Sequence, residues 1–301
     1  MKKPDFFIIG APKCGTSTIS HTLRAHPQVF VPLVFEPHFF STDMNREMGR
    51  KANLNWYLDL FRDADETHLA VGEKSVSYLY SEEAISNILE FQPNARIIVC
   101  LRNPIEMAPS WHAEHVFNLV EDVQDFEAAW ELQESRLEGH NIPPLNGYEF
   151  VLQYREMGLL GKYLQKLYTK IPNERVHLVF MDDIKQDFTR AHKELLDFLS
   201  LPFAALPERR KYQAHREHRS IRFAHMLSAR SNTFGARALR HAIKLTGPLH
   251  DQLFYQLREL NKKHAKRKDL RPEVRTKLQH AFREDIALLS ELTDRDLSHW
   301  K

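Results

Sequence analysis

Short unbroken apolar runs alternate along the chain with longer stretches whose apolar residues recur every three or four positions. Phe6 to Ile9 is too short for a free-standing helix and too continuous for a half-exposed strand, which marks it as a central parallel strand. Gln28 to Val31, Leu69 to Ser75, Ala95 to Leu101 and Arg175 to Met181 read as further strands. The stretches between them predict helices. Ile19 and Leu23 mark one from Thr16 to His26, closed by Pro27, and further helices are expected over 44–66, 81–91, from Pro104 onward, 121–140, 158–168 and 188–199. Val274 to Trp300 carries Leu278, Phe282, Ile286, Leu289 and Leu292 on one helical stripe, so it should pack back on the sheet. Strands alternating with helices imply an α/β fold with a central parallel sheet flanked by helices.

Composition sharpens this picture in three ways. A chain of 301 residues with 43% apolar content can bury one large core, so a single domain is expected, an α/β core over 1–200 followed by a helical part over 201–301. The net charge is only +2, but residues 215–271 hold fourteen Lys and Arg against four Asp and Glu. A basic helical C-terminal part follows, densest at Lys262 to Lys268, either a solvated face or a surface for a polyanion; no DNA or RNA module accompanies it, and no nucleic-acid partner is expected. Cys14 and Cys100 are the only cysteines and form no spaced ligand pair, so neither a disulfide framework nor a metal site is expected. The first apolar run is too short for a signal peptide or membrane anchor, and the expected location is cytoplasmic.

The candidate chemistry sits at the ends of the expected strands. Gly10-Ala11-Pro12-Lys13-Cys14-Gly15-Thr16-Ser17-Thr18 reads as a phosphate cradle. Glycines allow the backbone amides to converge on an anion, the following helix turns its positive end to the same point, and Lys13 adds a full charge. The spacing is P-loop-like, yet the lysine lies two residues before Gly15 instead of directly after it, so on its own the loop fits a sulfuryl-transfer enzyme, an NTPase or kinase, or a plain glycine turn. Glu36 and His38 flank Pro37 just beyond the second strand, where alternation in an extended segment would point both to one side. Pro37 should hold Glu36 extended, and Phe35 and Phe39 should raise its pKa towards that of a useful base. Lys74 ends the third strand. Arg102 ends the fourth and Ser110 follows on the next helix, so that guanidinium and hydroxyl could close on one phosphate, with an ion pair to Glu106 as the alternative. Asp182 and Asp183 end the fifth strand, either as a metal-binding pair or as helix caps.

Taken in order, Gly10 to Ser17, Glu36-Pro37-His38-Phe39-Phe40, Gly72-Glu73-Lys74-Ser75 and Arg102-Asn103-Pro104 with Ser110 resemble the sulfotransferases that use 3′-phosphoadenosine 5′-phosphosulfate (PAPS), particularly bacterial members and the heparan-sulfate branch. The C-terminal segment from Asp285 to Trp300 is also similar to bacterial members. The resemblance implies that Lys13, Cys14, Gly15, Thr16, Ser17 and Thr18 hold the 5′-phosphosulfate, and that Arg102 and Ser110 hold the 3′-phosphate. It further implies Glu36 as general base, Lys13 and Lys74 as active-site lysines, and His38 orienting acceptor or base. The implied acceptor is a hydroxyl, or an amine, of a carbohydrate or small molecule; the product is 3′,5′-ADP; no metal is required. Phe35 stands where the motif usually has lysine, and Arg216, Arg219 and Arg222 are candidates for a late basic loop at the 3′-phosphate. Two other classes compete: a P-loop kinase or NTPase using Asp182 and Asp183 with Mg²⁺, and an anion-binding interaction module built on the basic helices.

Overall fold

A computed structural model of the chain describes residues 2–33, 36–45, 53–144, 149–204, 216–228, 233–244, 250–264 and 269–300. In chain order the first half runs β1 (Phe6–Gly10), α1 (Thr16–Arg24), β2 (Val29–Phe30), α2 (Thr42–Asn45), α3 (Leu54–Asp59), β3 (Ala70–Lys74), α4 (Ala84–Phe91), β4 (Arg96–Leu101) and α5 (Pro104–Phe117). The second half runs α6 (Phe126–Glu131), α7 (Gln133–Leu137), α8 (Tyr154–Gly158), α9 (Leu160–Tyr168), β5 (Val176–Phe180), α10 (Met181–Gln186) and α11 (Phe188–Phe198). There follow β6 (Arg216–His218), α12 (Ile221–Leu227), α13 (Phe234–Lys244), α14 (His250–Leu260), β7 (Lys262–His264) and α15 (Pro272–Thr293). No described helix is long and apolar enough to cross a membrane.

The chain divides into two compact units. The first comprises Met1–Ala108, Arg155–Tyr212 and Arg275–Lys301, and the second Pro109–Tyr154 and Gln213–Val274. All five strands of the expected sheet form and pair in parallel within the first unit, in the order β2-β3-β1-β4-β5. Phe6 pairs with Gly72 on one side and Arg96 on the other, placing β1 in the middle. Phe6, Phe7, Ile8 and Ile9 are wholly buried, as are Ile97 to Leu101, which is why both segments read as unbroken apolar runs. The C-terminal stripe behaves as its spacing indicates. Leu278, Phe282 and Leu289 of α15 are buried, Phe282 fills the space that a side chain at Gly158 would need, and Asp285 accepts the amides of Gly161 and Lys162 at the start of α9, both at 2.8 Å.

The second unit departs from the sequence expectation twice. Residues 121–140 are not one helix: α6 and α7 form, while residues 121–124 before them are irregular. The Glu121 side chain accepts the amides of Asp122 and Val123, both at 3.0 Å, and holds a buried bidentate ion pair with Arg136, so residues 121–123 cannot join the helix. Asp125 then caps α6 through the amide of Ala128. The basic region is helical, but α12 to α14 are bracketed by an antiparallel ribbon of β6 and β7, in which Glu217 sits opposite Lys263 at 3.0 Å. Most of the densest basic run, from Ala265 to Lys268, lies outside the described residues.

Candidate active site

The loop after β1 has the geometry that its two glycines require. Gly10, Lys13 and Gly15 take φ of 149°, 60° and 91°. A side chain at Gly10 would also come within 2.9 Å of Leu79 Cβ, and one at Gly15 within 2.8 Å of Met181 Cε. Ala11 donates its amide to the Cys100 carbonyl at 2.7 Å, and Arg102 donates to the Lys13 carbonyl at 3.2 Å, so the end of β4 braces the loop. α1 makes its first helical hydrogen bond from Ile19 to Gly15. The amides of Thr16, Ser17 and Thr18 are therefore first-turn donors, the kind that satisfies an anion. The Cys14 thiol is fully buried, and burial pushes its pKa up to about 12 against the nearby Arg102 and Lys13; the residue packs the loop and is no nucleophile.

Glu36, His38 and Lys74 come together beside this loop. Lys74, 5% exposed at the end of β3, donates to Glu36 Oε1 at 2.8 Å and to Ser17 Oγ at 3.3 Å, tying the carboxylate to the first turn of α1. His38 Nε2 lies 3.1 Å from Glu36 Oε2. The two side chains do share one side, but not through an extended segment: Glu36 and His38 both adopt left-handed backbone, with φ of 55° and 54°. That conformation costs about 1–2 kcal/mol per residue, and the charge contacts that it makes possible offset the cost. The expected rise in the Glu36 pKa is also overturned. Burial does push the carboxyl up, but the hydrogen bond from His38 and the positive charge of Lys74 outweigh it and hold the value at about 2. Phe39 stacks on Tyr57 at 4.4 Å, and Phe35 lies outside the described residues. Burial lowers the Lys74 pKa as well, with Glu36 opposing.

Arg102 turns its fork onto Glu106, with Nη2 at 2.8 Å and Nε at 3.1 Å, which is the ion pair anticipated as the alternative. Ser110 is buried on α5, in the stretch assigned to the second unit. Asp182 and Asp183, the metal pair of the competing kinase reading, are already engaged. Arg295 grips Asp183 bidentately at 2.5 and 2.6 Å, while Trp300 Nε1 donates to Asp182 at 2.6 Å with His299 at 3.1 Å. Both carboxylates thus pin the C-terminal segment, and no group of three or more metal-ligating side chains exists among the described residues. Of the late arginines, Arg216 lies over the Phe117 ring, Arg219 donates to the Lys262 carbonyl, and Arg222 is exposed on α12.

Sequence reasoning passed over the hydroxyls that support this cluster. Ser75 Oγ accepts the His38 amide at 2.9 Å and donates to Glu73, while Ser77 Oγ lies 2.6 Å from His38 Nδ1. Glu73 itself turns away and takes hydroxyl donors from Tyr57, Tyr78 and Ser75; burial pushes its pKa up to about 7 although these hydrogen bonds oppose it. The one available signal was Ser-Val-Ser-Tyr directly after Lys74, a density of hydroxyls unusual beside a buried strand.

Comparison with known proteins agrees with the fold. The sulfotransferase-domain family model matches residues 3–290. Over 114 residues the chain is 33% identical to the bifunctional heparan sulfate N-deacetylase/N-sulfotransferase 4 of Mus musculus, covering 36% of this chain and 13% of that protein. Over 111 residues it is 36% identical to the heparan sulfate glucosamine 3-O-sulfotransferase 6 of Homo sapiens, covering 37% of this chain and 30% of that one. The matched parts thus span under a third of these curated relatives. The crystal structure of a sulfotransferase from Alicyclobacillus acidocaldarius superposes with a TM-score of 0.72 at 23% identity, covering 100% of this chain and 99% of that one.

Proposed function

Because the chain belongs to the sulfotransferase-domain family, we propose that it moves a sulfuryl group from PAPS to a hydroxyl or amine of a carbohydrate or small-molecule acceptor. The observation that carries this reading is the continuous link Glu36–Lys74–Ser17, which sets a carboxylate at the edge of an anion cradle. The residues fit the donor: the cradle offers first-turn amides, the Thr16, Ser17 and Thr18 hydroxyls and Lys13 to the phosphosulfate, and Arg102 would serve the 3′-phosphate. PAPS, when bound, supplies an activated sulfuryl group on a phosphate leaving group.

Glu36 accepts the proton of the acceptor hydroxyl as its oxygen attacks sulfur in line. Its low pKa keeps it ionised, and Lys74 and His38 hold it in place. Lys13 neutralises charge gathering on the departing phosphate oxygen. Arg102 would exchange Glu106 for a phosphate, a stronger partner for a guanidinium fork. The names of the relatives favour an acidic polysaccharide as acceptor. The test is release of 3′,5′-ADP from PAPS over a panel of N-sulfated and desulfated heparan fragments, phenols and amines, with EDTA present. Turnover that needs ATP and Mg²⁺ instead would overturn the proposal.

A further inference from the structure

The hydroxyls behind His38 form a chain whose protons can be assigned one by one. Ser41 Oγ lies 3.0 Å from the His38 carbonyl oxygen, which can only accept, so the single Ser41 proton is committed there. Towards Ser77 Oγ, at 2.9 Å, Ser41 can then only accept, which commits the Ser77 proton in turn. Ser77 is left with a lone pair to present to His38 Nδ1 at 2.6 Å, so Nδ1 carries a hydrogen. On the other side of the ring, Nε2 lies 3.1 Å from an oxygen of Glu36, whose other oxygen takes Lys74. A carboxylate can only accept there, so Nε2 carries a hydrogen as well.

We propose that Ser41 and Ser77 are positioning residues that hold His38 as a doubly protonated imidazolium clamped against Glu36. In this state the ring cannot take a proton from an acceptor. It fixes one carboxylate oxygen of Glu36 as Lys74 fixes the other, and the base of the reaction is Glu36 alone. Ser75, which accepts the His38 amide, holds the backbone of the same residue, so ring and main chain are anchored independently. The catalytic meaning of the pair rests on the sulfuryl-transfer reading above; the protonation state of the ring does not.

The experiment is long-range ¹H–¹⁵N correlation of the histidine rings in the full chain at neutral pH, with His38 assigned by its loss in His38→Gln. Both His38 nitrogens should show protonated shifts in the parent. In Ser41→Ala, the Ser77 proton is released towards Nδ1, which should move to the shift of an unprotonated ring nitrogen. Ser77→Ala should lower kcat about tenfold with little change in the KM for PAPS, the worth of one hydrogen bond to a charged group, and Ser77→Thr should restore it. An unprotonated Nδ1 in the parent would mean that the chain runs from Ser41 through Ser77 to the ring, and would overturn the proposal. So would a parent spectrum that Ser41→Ala leaves unchanged. Should an alanine variant not fold, the parent spectrum together with Ser77→Thr decides. If the parent transfers no sulfuryl group, the functional reading fails while the spectra still decide the proton assignment.

Discussion

Removing the Glu36 carboxylate should cost stability as well as turnover, and the structure says how much. Lys74 Nζ lies 2.8 Å from Glu36 Oε1, with the two side chains 5% and 15% exposed. At an effective dielectric of about 20 their attraction is about 6 kcal/mol, most of which compensates the desolvation of both groups. Glu36→Gln keeps the shape but leaves a buried ammonium facing a neutral amide, and removing one member of such a pair costs about 3–5 kcal/mol. Ser17 retains part of the ammonium's hydrogen bonding, so the lower end, about 3 kcal/mol, is expected. Lys74→Met should cost less, because His38 still faces the carboxylate left behind. The double variant leaves neither member of the Glu36–Lys74 pair facing a lost partner and should regain about 1–3 kcal/mol relative to the sum of the singles. Urea unfolding of all four proteins measures the cycle, and kcat of Glu36→Gln should fall by about 10²–10⁴ in parallel. Strict additivity, with a coupling under about 0.5 kcal/mol, would refute the account of a desolvated pair.

Three other outcomes follow from single positions. Arg102→Ala should weaken binding of 3′,5′-ADP at least about tenfold and that of 5′-AMP clearly less, through the lost brace on the Lys13 carbonyl alone, as read by calorimetry; equal losses would remove Arg102 from the 3′-phosphate. Burial raises the Glu73 pKa from 4.5 to about 7, so the unfolded chain ionises first and the folded state should lose stability as pH climbs through that window, by about 3 kcal/mol in all. Glu73→Gln should flatten this slope in urea midpoints taken across the window, and an unchanged slope would place the titration elsewhere. Gly72→Ala should lower the melting temperature sharply, because its Cβ would stand 2.3 Å from the Phe6 ring in the middle of the sheet, a form of overpacking costing about 1–3 kcal/mol or more; a variant as stable as the parent would show that the ring can move aside.

The central strands were legible because a strand buried on both faces needs no alternation, and β1 and β4 are apolar at nearly every position. The glycine loop was legible because its backbone conformation excludes most other residues at Gly10 and Gly15. What the sequence concealed depends on partners far along the chain. Phe39 beside Glu36 suggested an apolar setting and a raised pKa, yet the ring goes to Tyr57 while Lys74 arrives from the next strand with a full charge. Pro37 spoke against a helical Glu36 but could not distinguish extended from left-handed backbone, a choice settled by the ion pairs. Ser41 carries no motif and Ser77 only the run of hydroxyls after Lys74, so their meaning comes from the position of the His38 ring. The ribbon of β6 and β7 was invisible because its residues are charged or histidine, without the β-branched pattern that marks strands.

The spatial order of the motifs differs from their order along the chain, and that difference gives the proposed reaction its direction. Strand order β2-β3-β1-β4 converts the sequence order of loop, Glu36, Lys74 and Arg102 into the spatial order Glu36, Lys74, loop, Arg102. Each of these follows the C-terminal end of its strand, where open parallel sheets bind ligands. Glu36 and Lys74 therefore stand on one side of the cradle, and Arg102 stands on the other, bonded to the Lys13 carbonyl. A nucleotide whose 3′-phosphate met Arg102 and whose phosphosulfate lay in the cradle would direct its sulfur towards Glu36. The acceptor would have to approach from the β2 edge of the sheet. In-line displacement needs attacking and leaving oxygens on opposite sides of sulfur, and this arrangement places the base and the nucleotide anchor on opposite sides of the loop. A kinase-like use of the same fold would draw on the carboxylates at the end of β5, beyond Arg102, and those are held by Arg295 and Trp300.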